Sequence, residues 1–147
     1  MKLYYATLAY LVLGLASGLF YREFTKANDY TAADGFTQLA VVHTHLLTLG
    51  VIVLLIVLVL EKVFALSKSK TFSWFFWIYN LGLVVSVAAM AVNGMLHVLG
   101  EEPSKALAGI SGSGHILLTA GLILLFVALG KQVTAAVTTP AASVPSS

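Results

Sequence analysis

Four runs of apolar residues, 3–21, 39–60, 72–99 and 116–130, take up most of this 147-residue chain. A helix rises about 1.5 Å per residue, so about 20 apolar residues cross the roughly 30 Å of bilayer hydrocarbon. The first three runs reach that length alone. The fourth reaches it if the helix begins further back, through Ala106, Leu107 and Ala108, with Pro103 as a first helical residue. Hydrocarbon admits only helices and closed barrels, and no alternation of period two competes with these continuous runs. The expected fold is all-α: an integral membrane four-helix bundle over residues 1–131, followed by a disordered tail, 132–147, rich in Thr, Ala, Ser and Pro.

Composition agrees. Hydrophobic residues make up 59% of the chain and charged residues only 10%, against about 25% charged in a soluble domain. The mean hydropathy is +0.96. A net charge of +2 and the absence of any basic cluster interleaved with aromatics exclude nucleic acid as a partner and leave membrane lipids. There is no cysteine, which removes disulfides, thiolate ligands, iron–sulfur clusters and covalently attached haem. Run 3–21 exceeds the length of a signal-peptide core and is followed by no small-x-small cleavage site, so it reads as a retained span. Thr31 or Asp34 would serve as the N-cap of the second span.

The loops set an orientation. With both termini inside, Lys2, Lys62, Lys68, Lys70 and Lys131 lie inside, while Arg22, Lys26 and Lys105 lie outside. That is the cytoplasmic excess of cations expected of a multi-pass protein of the bacterial inner membrane, and Phe72, Trp74, Phe75, Phe76 and Trp77 would form an interfacial belt.

This topology gathers the four histidines in the outer half. His43 and His45 open span two, His97 closes span three and His115 opens span four. Counting back from Lys62 and Lys131 puts His45 and His115 both roughly 25 Å from the inner lysines, with His43 about 3 Å further out. His97 lies near the surface, in the last turn before Gly100, where a capping or surface role suffices. His43 and His45 are about 200° apart around a helix and cannot both ligate one metal without distorting it, so one of them can face the bundle interior and meet His115 there. An imidazole inside a membrane is expensive and counts as a functional residue by default, although a lone one commonly just bonds between helices.

Bis-histidine haem b needs two imidazoles on different helices at one level in an apolar slot, and His43 or His45 with His115 meets the level and helix conditions. Gly14 and Gly18 on span one, and Gly82, Ser86, Met90, Asn93 and Gly94 on span three, are small or polar enough to line such a slot. Arg22, the only arginine, would pair with a haem propionate. A Cu or Zn site built on His43, His45 and His115 is the alternative, but it wants carboxylate or thiolate help that the spans lack. A second alternative is a non-catalytic assembly partner whose histidines only hydrogen-bond.

The segment Val42-His43-Thr44-His45-Leu46-Leu47 resembles the second span of haem–copper oxidase subunit I and nitric-oxide reductase, where a histidine-x-asparagine unit carries the axial ligand of the low-spin haem. By that match His43 takes the ligand position and His45 replaces the asparagine. More closely, residues 1–131 resemble an uncharacterised family of small four-span bacterial membrane proteins near that superfamily. The matching stretches are Phe20-Tyr21-Arg22-Glu23-Phe24, His43-Thr44-His45-Leu46, Trp74-Phe75-Phe76-Trp77-Ile78-Tyr79-Asn80 and Gly112-Ser113-Gly114-His115-Ile116. The resemblance implies one repeat of a larger assembly, hence a homo-oligomer with haem held within or between subunits, and a quinol or other redox partner. It does not extend to oxygen reduction, because the adjacent histidine pair and histidine–tyrosine unit of the copper centre are missing. It favours His43 as the ligand, whereas the depth count favours His45. The expected function is electron transfer, or sensing of haem or a small gas.

Overall fold

The computed structural model describes residues 1–102 and 105–138. The expected role of Pro103 as a first helical residue falls outside them. The described chain is all-helical, with no strand. Helix α1 covers Lys2–Ala27. The second long helix is composite: α2, Leu39–His45, passes without a break into a π-helix, Leu46–Val53, and then into α3, Leu54–Phe64. Helix α4 covers Lys70–Val98 and α5 covers Lys105–Thr138. Four helices result, each long and apolar enough to cross a membrane. Apolar side chains such as Leu15, Ile56, Trp77, Ile123 and Phe126 face outward from all of them.

The ends of the helices follow local chemistry. Thr31 and Asp34 do not cap the second helix. They close a capping box around a separate 3-10 turn, Ala32–Asp34, and the second helix begins only at Leu39. There the Thr37 hydroxyl accepts from the Leu39 amide at 3.3 Å and donates to the Gly94 carbonyl at 2.9 Å, fastening this end to α4. Ala65, in the left-handed region at φ 50°, ends α3. Gly100 at φ 75° ends α4, and the Glu101 amide returns to the Leu96 carbonyl at 2.9 Å, as helix-terminating glycines favour. Helix α5 runs on to Thr138, so residues 132–138 are helical where a tail was expected.

Glycines fix the order of the helices. Gly14 and Gly50 lie where α1 meets the second helix, a Cβ on Gly14 falling 2.7 Å from Leu47 and one on Gly50 falling 2.6 Å from Tyr10. Gly94 crosses Leu39, where a Cβ would sit 2.6 Å from the leucine Cβ. Gly82, Gly114 and Gly121 bring α4 and α5 together along much of their length. Sequence neighbours are therefore antiparallel neighbours. Helix α4 is the central element, with Phe75, Tyr79, Leu83 and Ser86 fully buried along it. The small residues of spans one and three thus serve close helix approach, as small-xxx-small patterns do, rather than lining an open slot.

Candidate functional site

Helix α2 carries two of the four imidazoles. Leu39 and Val42 point into the core and set the rotation of the helix. His43 then turns towards α1 and lies over Gly18, whose missing side chain leaves its would-be Cβ 3.8 Å from the histidine Cβ and Cγ. Its ring is half-buried, and Nδ1 is buried with no hydrogen-bond partner among the described residues. Nε2 has only a long approach to the Thr44 hydroxyl, 3.4 Å. His45, on the far side of α2, is also half-buried, and its Nδ1 lies 2.9 Å from the Val41 carbonyl one turn back.

His115 repeats the His45 arrangement on α5, with Nδ1 2.9 Å from the Ser111 carbonyl. A carbonyl oxygen only accepts, so in both residues the bond puts the proton on Nδ1. The neutral ring then carries its free lone pair on Nε2, the form in which a histidine held by a second shell ligates a metal. His43 lacks this second shell.

The expected meeting of His43 or His45 with His115 inside the bundle does not occur within one chain. His115 is exposed. Its neighbour Gly114 is the residue that faces α4, where a Cβ would lie 2.7 Å from the Ser86 amide, and a step of one residue turns His115 about 100° away from that contact. Helix α5 packs chiefly on α4 and reaches α3 and the 3-10 turn that follows it, whereas α2 packs chiefly on α1 and α4. The outward face beside His115 is open, because a Cβ on Gly109 or Gly112 would meet nothing within 4 Å.

The two peripheral candidates are elsewhere. His97 is exposed at the end of α4, its ring 5.9 Å from that of Tyr30. Arg22 is exposed and occupied by its own neighbour, Nη2 lying 2.7 Å from Glu23 Oε1, so it is not held ready for a propionate within this chain. Among the described residues, no three His, Asp or Glu side chains converge as a metal cluster.

Two features escaped the sequence reading. The π-helix follows directly on His45, and such segments are frequent at functional sites. Its Leu49 carbonyl accepts from the buried Tyr79 hydroxyl at 3.0 Å. The Tyr10 hydroxyl donates to Asn80 Oδ1 at 2.8 Å, linking α1 to α4. Ser86 and Asn93, which the sequence did offer, are buried on α4, and Ser86 Oγ and Asn93 Oδ1 have no hydrogen-bond partner among the described residues. Tyr10, Tyr79 and Asn80 could have been found as polar groups inside apolar runs; nothing in the sequence marks the π-turn.

A family model described as "Protein of unknown function (DUF2871)" matches residues 1–132. No curated protein and no solved structure matches the chain.

Proposed function

We propose that this chain, which belongs to that family of proteins of unknown function, is a haem b-binding electron-transfer protein of the bacterial inner membrane, with its haem between chains of a homo-oligomer. The four long apolar helices support the membrane reading, with both termini inside on the lysine bias. The observation that carries the haem reading is the matched pair of Nδ1-to-carbonyl bonds, 2.9 Å each, that leave Nε2 free on His45 and His115.

The residues fit haem between chains better than haem within one. An exposed imidazole on a lipid-facing helix is unfavourable unless something covers it. Gly109 and Gly112 leave room on the same stretch for a flat macrocycle. A two-fold pair of chains would present two copies of His115 to one iron, the self-complementary geometry that dimers favour. Haem held there would supply one-electron redox chemistry, and a quinol or a membrane redox protein would be the partner it serves. His45 is the second candidate ligand. His43, with a buried unpaired Nδ1, ranks below it despite the oxidase-like motif.

Purification in mild detergent with haem available tests this. A Soret band that His115→Gln abolishes and His97→Gln leaves unchanged supports it. Copper or zinc without porphyrin would favour the metal-binding alternative. Neither cofactor, with each His→Gln variant folded and functional, would leave the assembly-partner reading.

A further inference from the structure

Where α1 begins, α3 ends and α4 begins, the chain encloses a cavity of about 380 Å³. Lys2, Lys62, Glu61, Ser67, Phe72 and Trp77 are among the residues around it. Because all three helices start or stop here, the cavity lies at a membrane–water boundary in either orientation of the protein.

Its charge is unbalanced. The one carboxylate, Glu61, is taken by Ser67: Oε2 accepts from the Ser67 amide at 2.6 Å and Oε1 from its hydroxyl. That closes the turn after α3; Glu61 keeps its negative charge, and against Lys2 and Lys62 it leaves these lining side chains with an excess of positive charge. Among the described residues, neither Lys2 nor Lys62 has a carboxylate within ion-pair distance; Arg22–Glu23 is the ion pair found. Lys2 instead rests its ammonium 5.9 Å from the centre of the Trp77 ring, a cation–π contact that positions the charge without neutralising it. Below the cations the wall is apolar, formed by Leu58 and Phe72.

We propose that this cavity binds the headgroup of an anionic phospholipid, with the phosphodiester between Lys2 and Lys62 and the glycerol end against Leu58 and Phe72. Two cations above an apolar wall, at headgroup depth, match a molecule with a negative head and a hydrocarbon body. A zwitterionic lipid would bring its own cation against the same lysines. The proposal rests on the reading of the helices as membrane spans and is independent of haem, so loss of the Soret band would leave it standing.

Native mass spectrometry of the full chain, released from nanodiscs of equal phosphatidylglycerol and phosphatidylcholine, tests it. The wild type is expected to retain phosphatidylglycerol preferentially. Lys2→Gln with Lys62→Gln should lower that preference by about tenfold or more, because both lysines that line the cavity and would contact the phosphodiester are lost. Lys68→Gln with Lys131→Gln removes the same charge at the same end of the helices and should keep it. Equal retention of both lipids by the wild type would overturn the proposal, and so would equal losses in the two double variants. A melting curve in detergent checks that the exposed Lys2 and Lys62 substitutions leave the fold intact. If inorganic phosphate alone displaces the bound phosphatidylglycerol at millimolar concentration, the site takes a free anion and the lipid assignment fails.

Discussion

Nδ1 of His115 lies 2.9 Å from the carbonyl oxygen of Ser111, one helical turn back, on a ring that is otherwise exposed. The bond fixes both the tautomer and the direction of Nε2, which leaves the chain rather than entering it. A ligand-ready imidazole that faces away from its own bundle needs something beyond the chain to complete it. On the proposed reading, that relationship moves the candidate site from the interior of one chain to a surface between two.

Substitution should separate the four histidines. His115→Gln is expected to remove the low-spin haem spectrum, because the glutamine amide is a poor iron ligand. His45→Gln should shift or weaken the spectrum if it supplies a second site, and His97→Gln should leave it unchanged. Absorption spectra of the four purified variants, including His43→Gln, give the ranking directly.

Packing at Gly94 should be intolerant. A Cβ there would fall 2.6 Å from the Leu39 Cβ and 2.7 Å from its Cα, and backbone cannot yield as a flexible side chain can. Gly94→Ala should destabilise the protein by about 1–3 kcal/mol, read as a lower melting temperature in detergent. Gly109→Ala, where a Cβ meets nothing within 4 Å, should not lower the melting temperature and should raise it slightly, because alanine is the better helix former.

The Tyr79 hydroxyl holds the Leu49 carbonyl of the π-helix at 3.0 Å. Tyr79→Phe leaves that part-buried carbonyl without its side-chain donor, at a cost of about 1 kcal/mol. An upward shift of the Leu49 carbonyl stretch, followed by isotope-edited infrared spectroscopy, would report the lost bond, alongside a lower melting temperature.

In the loop before the second helix, hydrogen bonds from the Thr31 amide at 2.7 Å and the Thr31 hydroxyl at 2.9 Å hold the Asp34 carboxyl below the usual carboxylate range. A lowered folded-state pKa stabilises the turn above the unfolded pKa, and that contribution disappears as pH falls through the folded value. Thr31→Ala should move the Asp34 titration upward, towards its ordinary value, in a carboxyl-resolved NMR titration.

Much of the fold is legible in the sequence because hydrocarbon demands long apolar runs, and 3–21, 39–60, 72–99 and 116–130 each fall largely or wholly within one of the four helices. Gly100 also ends its helix as its position suggests. What the runs do not carry is rotation. In a helix that is apolar all round, no periodic stripe says which face is buried. His115 is placed by Gly114, one residue before it, taking the α4 contact at Ser86. Depth, counted at 1.5 Å per residue, was likewise blind to the π-helix at Leu46–Val53, whose wider turns depart from that rise. The residues that looked like a slot, Gly14, Gly82 and Gly94, are spent on helix contact.

The most direct test of the central claim is a haemochrome assay on the wild-type protein, purified in mild detergent with haem available, alongside its mass in solution. One haem b per two chains, a Soret band and a dimer that His115→Gln disrupts are expected. A wild-type protein with no Soret absorption would contradict haem binding, and one haem per monomer unaffected by His115→Gln would contradict its placement between chains.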